Sequence, residues 1–288
     1  HIREIARAKI NLTLTVLRRR PDGYHDIESL VTFADIGDLV TLVSRPDRRL
    51  ATSGPFAVDI EGENLLSKAL MLLRETDPDL QLGAVELEKN LPVAAGLGGG
   101  SADAAALLRA VRQANPERAG AIPWHELAAR LGADVPVCLA GKPALMRGIG
   151  DRIAPLGVAP GAAPLAAVLV NPRLALATAQ VFQARAVRAA SPRPPAAGAF
   201  ANREVLIAHM RAVGNDLEAQ AVALLPVIAD LEAALAAQPG CLLAAMSGSG
   251  PTCFGIFDTE ASADRAAAAL RRAQPLWWVV QTRLDSPV

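Results

Sequence analysis

Polar and apolar residues alternate along Lys9-Ile-Asn-Leu-Thr-Leu-Thr-Val16 and Glu28-Ser-Leu-Val-Thr-Phe33, with a similar run at Asp38-Leu-Val-Thr-Leu-Val43. A period of two predicts half-buried strands. Pro21-Asp-Gly23, between the first two runs, predicts a turn, because Pro presets φ and Gly supplies a positive one. From Asn64 to Arg74 the pattern becomes helical, with Asn64 placed as N-cap. Val85 to Glu88 reads as a strand leading into a glycine-rich run. Ser101 to Ala114 then reads as an Ala/Leu-rich helix, and Trp124 to Leu131 as another stopped at Gly132.

After about residue 154 the texture changes. Pro155, Gly157, Pro160, Gly161 and Pro164 cluster before a strand at Leu165 to Val170, which predicts two domains, 1–154 and 155–288. Ser191-Pro-Arg-Pro-Pro-Ala-Ala-Gly198 reads as a surface loop within the second. The tail reads as strand (Leu242 to Met246), strand (Thr252 to Phe257), helix (Ala261 to Ala273) and strand (Trp277 to Leu284). That order predicts a small α+β layer with helices on one sheet face.

The run Lys89-Asn-Leu-Pro-Val-Ala-Ala-Gly96-Leu-Gly98-Gly99-Gly100-Ser101-Ala-Asp103 joins a strand to a helix. Its glycines lack the β-carbons that keep phosphate oxygens from backbone N–H groups. The following helix start offers unpaired N–H groups and a favourable dipole. Ser101 is placed to cap that helix or to donate to phosphate or hydrated Mg²⁺, and Lys89 to add positive charge. A Walker A loop would end Gly-Lys-Ser/Thr, but Ser101 follows Gly100 directly. A dinucleotide fingerprint would need a third glycine where Ser101 stands, and an acidic residue ending the next strand. A phosphate-binding loop of a third type remains.

Lys9 and Asn11 flank Ile10 on an alternating strand and so share a face, with Ile10 turned to the core. Most lone strand lysines are merely solvated. Asp134, in Leu131-Gly-Ala-Asp-Val-Pro136, taken alone reads as a capping or turn residue before a Pro-restricted valine. Tyr24 is the one tyrosine of the chain and stands beside His25, so an aromatic plate and an imidazole share one loop. Arg18-Arg19-Arg20 reads as a solvated strand end.

Composition narrows the field. With 29 basic and 29 acidic residues among 288, the zero formal charge weighs against a general nucleic-acid or membrane-surface binder. Half the residues are apolar (51%), which is globular composition. Three cysteines without CxxC spacing point to neither a disulfide framework nor a zinc site. No apolar stretch is long enough for a membrane span, and no leader of the usual layout is seen, so a cytoplasmic chain is expected. Lysine is scarce, at Lys9, Lys68, Lys89 and Lys142. Where a chain otherwise prefers Arg, a retained Lys marks a place that needs a compact charge.

Taken together, these residues resemble the GHMP kinase superfamily, which includes galactokinase, homoserine kinase and mevalonate kinase. The resemblance spans nearly the whole chain. It rests on Ala8-Lys-Ile-Asn-Leu12, Arg20-Pro-Asp-Gly-Tyr-His25, Glu63-Asn-Leu65, the glycine loop, Gly132-Ala-Asp-Val-Pro136, Asn215-Asp-Leu-Glu218 and Met246-Ser-Gly-Ser-Gly-Pro-Thr252. It implies an α+β fold, with an N-terminal domain like ribosomal protein S5 and a C-terminal ferredoxin-like domain. It implies Lys9 and Asp134 as the catalytic pair. ATP, as co-substrate with Mg²⁺, would be held by Asn64, Leu65, Lys89, Pro92, Val93, Ala94, Ala95, Gly96, Leu97, Gly98, Gly99, Gly100, Ser101 and Ala102. Asn11, Tyr24, His25, Phe182, Ser247 and Gly248 would meet the acceptor, with Tyr24 and Phe182 stacking on either side of a cytosine. The implied acceptor is a cytidyl diphospho-sugar alcohol, with no dedicated metal site, no nucleic acid, and a monomer or weak homodimer. Departures from the family pattern are Gln183 where Lys is unsurprising, Ala94-Ala95 where glycines are common, and Ala102 where a second serine is frequent. The rival readings are a homoserine- or mevalonate-type kinase of the same superfamily, a non-catalytic nucleotide-binding regulator, and a nucleic-acid-binding module.

Overall fold

The computed structural model describes residues 1–45, 49–59, 64–157, 162–184 and 200–288. Pro160, Gly161, Glu63 and the 191–198 loop lie outside the described residues. In chain order the elements are β1 (Ile2–Asn11), β2 (Thr15–Arg19), β3 (His25–Val43), β4 (Leu50–Ser53), α1 (Leu65–Thr76), β5 (Ala84–Glu88), α2 (Gly99–Ala114), α3 (Trp124–Leu131) and α4 (Val135–Ala140). They continue with β6 (Ala144–Gly148), β7 (Arg152–Pro155), β8 (Leu165–Asn171), α5 (Thr178–Ala184), α6 (Arg203–Val213), α7 (Glu218–Leu224), α8 (Val227–Ala236), β9 (Cys241–Met246), β10 (Cys253–Phe257), α9 (Glu260–Ala273) and β11 (Trp278–Leu284).

The chain forms two compact units, and each is discontinuous in sequence. The first takes residues 1–8, 36–93 and 98–141; the second takes 9–35, 94–97 and 142–288. β1, β3 and the glycine-rich run therefore each contribute to both.

In the first unit the end of β3 pairs antiparallel with β5, Leu39 opposite Glu88 through Val43 opposite Ala84, and β4 adds in parallel. The Ala/Leu stripe of α2 is buried from Ala102 to Leu108, so α2 is the central helix of this unit. Gly37 marks a close backbone crossing: a Cβ there would lie 2.2 Å from the Ala6 carbonyl oxygen.

In the second unit β8, β9, β10 and β11 form an antiparallel layer in the order β11-β8-β10-β9. With α9 between β10 and β11 this is the split βαβ order of a ferredoxin-like layer, as the tail of the sequence implies. Its core gathers Val168 and Val170 of β8, Ile228, Leu231 and Leu235 of α8, and Ala263, Ala266, Ala267 and Leu270 of α9. A separate hairpin of β2 and β3 turns at Pro21-Asp-Gly23, where Gly23 takes φ +89°.

Three differences from the sequence pattern have physical causes. The alternating run from Lys9 to Val16 is split after Asn11, because Leu12 donates to the Leu30 carbonyl at 2.8 Å while Leu14 turns to the Gly214 carbonyl at 3.0 Å. The runs at 28–33 and 38–43 are one 19-residue strand, since no turn residue interrupts Ala34 to Gly37 strongly enough to break it. The pattern reading also leaves out α5 to α8. Of these, α6 does carry a helical period, with Leu206, Ile207, Met210 and Val213 buried and Asn202 as N-cap, whereas α7 and α8 carry alanine on several sides, which blurs the 3.6-residue period.

Candidate active site

The glycine-rich run leaves β5 at Glu88 and enters α2 at Gly99. Gly98, in the left-handed region at φ +63°, is the N-cap of α2, and no side chain caps the helix. Ser101 therefore lies inside the first turn rather than at the cap, where the sequence allowed it. Its hydroxyl and the first-turn N–H groups have no capping side chain to compete with them. Asn64 does cap α1: its Oδ1 accepts the Leu66 N–H at 2.9 Å. A Cβ placed on Gly100 would meet Leu65 Cδ1 at 3.7 Å, so Leu65 and the start of α2 border one another within this unit.

Lys89 is 3% exposed and held by two carboxylates. Its Nζ donates to Asp103 Oδ2 at 2.9 Å and makes a short bond to Asp38 Oδ2. Burial alone would lower the Lys89 ammonium, but Asp103 and Asp38 overcome it and hold it above its usual value. Asp38 Oδ1 accepts the N–H groups of Asn90 at 2.6 Å and Leu91 at 2.8 Å. The entry to the loop is thus tied to β3 and α2. Lys89 gives its charge to this cluster and not to open solvent.

Residues 94–97 belong to the second unit and are fixed there by the 247–252 loop. Ser247 Oγ donates to the Gly96 carbonyl at 3.0 Å and accepts the Asn11 N–H at 3.1 Å. Thr252 N–H donates to the Ala95 carbonyl at 3.2 Å, and the Lys9 N–H to the Leu97 carbonyl at 2.9 Å. Asn11 Nδ2 donates to Ser29 Oγ at 2.7 Å. Asn215 Nδ2 bridges the carbonyls of Met246 and Gly248 at 3.0 and 2.8 Å. Ser247 is fully buried, with its hydroxyl spent on these bonds.

Lys9 is 4% exposed, so it is not the solvated strand lysine that is commonest at such positions. Asn11 is buried as well, and so is Ile10. Asp134, in the first unit, is the residue before α4, with helical φ of −87° and ψ of −12°. It makes no capping hydrogen bond, which sets aside the plain capping reading. Val135 is helical despite the following Pro136, whose missing N–H falls at a position of the first turn with no helical partner to lose.

His25, at the start of β3, stacks on Phe182 of α5 with ring centroids 5.1 Å apart and planes 29° apart. The structure thus pairs Phe182 with His25, while Tyr24 is 60% exposed beside them in sequence. Within the arginine run, Arg18 and Arg20 are paired with acids. Arg18 Nε contacts Asp26 Oδ2 at 2.5 Å, and Arg20 reaches both Asp26 and Asp22. The hydrogen bond from Arg18 holds the Asp26 carboxyl below the usual carboxylate range.

Sequence reasoning passed over Asp38, Asp103 and Asn215 as individual groups. The signal was there for the first two: Asp38 opens an apolar strand, and Asp103 interrupts an otherwise alanine-rich helix face. A charge inside a pattern that predicts burial calls for a partner.

A family model described as "GHMP kinases N terminal domain" matches residues 64–142, and one described as "GHMP kinases C terminal" matches 196–276. Fold and family models together define a GHMP kinase, α+β in class. Proteins named 4-diphosphocytidyl-2-C-methyl-D-erythritol kinase from Cereibacter sphaeroides and Methylorubrum extorquens are each 47% identical. The first match covers 97% of this chain and 98% of the relative, the second 97% of each. A crystal structure of 4-(cytidine 5'-diphospho)-2C-methyl-D-erythritol kinase matches with a TM-score of 0.80 and 34% identity, over 99% of this chain and 100% of that one. Within the GHMP kinases, the chain belongs to the 4-diphosphocytidyl-2-C-methyl-D-erythritol kinase family. A homoserine kinase from Cytophaga hutchinsonii shares the fold at a TM-score of 0.68 but only 18% identity, over 99% of this chain and 96% of that one.

Proposed function

We propose that this chain transfers the γ-phosphoryl group of ATP to the C2 hydroxyl of 4-diphosphocytidyl-2-C-methyl-D-erythritol, a step of non-mevalonate isoprenoid synthesis. The observation that carries the reading is the 47% identity, over nearly the full length, to enzymes named for that acceptor. The homoserine kinase that shares the fold is only 18% identical, and an aliphatic acceptor has no use for an aromatic surface such as His25 on Phe182.

In this reading residues 92–102, with Asn64, Leu65 and Lys89, form the nucleotide site. The loop backbone and the first turn of α2 take the phosphates, and Lys89 acts by holding the loop entry. The Ser101 hydroxyl is an oxygen donor of the kind that would hold a hydrated Mg²⁺ brought with ATP, which would supply charge compensation at the phosphates. Phosphoryl transfer passes through a loose transition state, so positioning and charge compensation carry most of the catalysis. Asp134 takes the proton of the attacking hydroxyl, and Lys9 offsets charge gathering on the transferred group. Asn11, Tyr24, His25 and Phe182 meet the acceptor, and Ser247 and Gly248 frame it through their loop. We take 1–154 and 155–288 as the two family domains. We further place the enzyme in the cytoplasm, acting on a small molecule rather than nucleic acid, as a monomer or weak homodimer.

A coupled ADP-release assay across cytidyl-methylerythritol, homoserine and mevalonate acceptors tests the assignment. Turnover is expected with the first alone, and with the Asp134→Asn variant it is expected to fall by roughly a hundredfold or more while ATP affinity stays near normal. Near-normal turnover in that variant would remove Asp134 from the role of base.

A further inference from the structure

Tyr24 stands at the tip of the β2-β3 hairpin, just past the final strand pair of Arg19 and His25. The last three residues of β2 are exposed, and Tyr24 itself is 60% exposed. A ring this open to solvent takes its direction from the backbone that carries it. Polar bonds fix that backbone on both sides. The Tyr24 N–H donates to Asp22 Oδ1 at 3.1 Å, and the Tyr24 carbonyl accepts the Arg20 N–H at 2.7 Å.

The Arg20 side chain closes the same segment from outside. Its Nε donates to Asp22 Oδ2 at 3.0 Å and its Nη1 to Asp26 Oδ1 at 3.3 Å. One planar guanidinium thus bridges the residue before Gly23 and the residue after His25. Asp26, 7% exposed, is also held from β2, where Arg18 Nε donates to its Oδ2. A bulge makes this second bond available: the register shifts between Val16 and Arg18, so Arg18 and not Leu17 stands opposite Asp26. The arginine side chains are open to solvent, at 39% for Arg20 and 76% for Arg18, and ion pairs of that kind add little to folding stability. What a rigid fork supplies instead is direction.

We propose that Arg20 is a positioning residue for the acceptor: by bridging Asp22 and Asp26 it holds the segment 22–26 in one geometry, so that the Tyr24 ring is already set when a cytosine base arrives. The proposal rests on the reading of Tyr24 and His25 as acceptor residues. Arg20 acts through Tyr24 and does not itself touch the acceptor. Setting the ring in advance removes an ordering cost from binding and leaves phosphoryl transfer as it was. Loss of the bridge therefore raises the KM for the acceptor and spares kcat and the KM for ATP.

The test is steady-state kinetics of the full chain with ATP and the cytidyl acceptor, for Arg20→Gln, Asp26→Asn, Tyr24→Ala and the double variant Arg20→Gln with Tyr24→Ala. Arg20→Gln and Asp26→Asn are each expected to raise the KM for the acceptor by roughly threefold or more, with kcat, the KM for ATP and the melting temperature near those of the unaltered protein. In the Tyr24→Ala background Arg20→Gln should add less than about 1.5-fold, because the ring it positions is gone. Effects that multiply in the double variant would overturn the proposal, since Arg20 would then meet the acceptor directly. An acceptor KM left unchanged by either single variant would overturn it too, as would an equal rise in the KM for both substrates. Should Arg20→Gln fail to fold, Arg20→Lys completes the same cycle, because a single ammonium lacks the fork that spans both acids. If the unaltered protein does not turn over the cytidyl acceptor, the acceptor reading fails and the proposal falls with it. If turnover is normal and the acceptor KM is indifferent to Arg20, only the positioning role fails.

Discussion

Lys9 and Lys89 are buried, whereas Lys68 and Lys142 are exposed, so the two lysines that lie in motifs are also the two removed from water. A buried ammonium persists only where anions or hydrogen-bond acceptors compensate it, and for Lys89 these are Asp38 and Asp103. Tyr24 is the opposite case. It is a large ring left 60% exposed at a hairpin tip, next to a His25 already stacked on Phe182. An exposed ring of this kind contributes little to folding, so its removal should register in binding. Tyr24→Ala is expected to raise the KM for the cytidyl acceptor by roughly fivefold, a stacking contribution of about 1 kcal/mol. The KM for ATP and the melting temperature should change little. A matching rise in the KM for ATP would argue against acceptor stacking.

At the scale of the element, the glycine-rich run shows which glycines the backbone requires. Gly96 has φ +72°, and a Cβ there would lie 2.4 Å from the Ser247 carbonyl oxygen and 2.9 Å from the backbone of Gly250. Ala94 adopts φ +50° with its β-carbon in place. A left-handed non-glycine residue costs about 1–2 kcal/mol, partly offset by its lower freedom in the unfolded chain. Thermal unfolding of two variants reads out the difference. Gly96→Ala should lose about 2 kcal/mol or more, since backbone and not a flexible side chain blocks it. Ala94→Gly should be neutral to slightly stabilising, by at most about 1 kcal/mol. The reverse order would mean that the two loops are not held together through Gly96 and Ser247.

On the whole-molecule scale, stability depends on buried acids as well as on the apolar cores. Glu232 of α8 has its Oε1 buried without a hydrogen-bond partner among the described residues. Burial, helped by the charge of Glu218, pushes it up to about 7. Because its folded value exceeds its ordinary value of 4.5, the folded state binds more protons than the unfolded one in between. Stability from this group is therefore complete below about pH 4.5 and is lost as the pH climbs through about 7. Glu232→Gln should raise the melting temperature by a few degrees at pH 8 and change it little at pH 4. An equal effect at both pH values would show that the side chain acts through packing and not through its charge.

The sequence by itself determined the strands and helices with a clean period, namely α1, β5, α2, α3, β8 and the tail β9-β10-α9-β11, and it marked the glycine loop with Lys89 beside it; it left out β4, α4, β6 and β7. Periodicity and backbone-specific residues such as Gly and Pro are local signals, readable without knowing what lies opposite. The sequence could not show that β3 is one strand contributing to two units, because strand continuity depends on its pairing partners. It gave little notice of α7 and α8, whose alanines make every face look alike. Tertiary structure alone decided that Lys89 belongs to Asp38 and Asp103, from 51 and 14 residues away, and that Ser247 binds Gly96 across 151 positions. Such partners are chosen by burial, which leaves a charge or hydroxyl no water to turn to, and burial is a property of the folded chain and not of any stretch of its sequence.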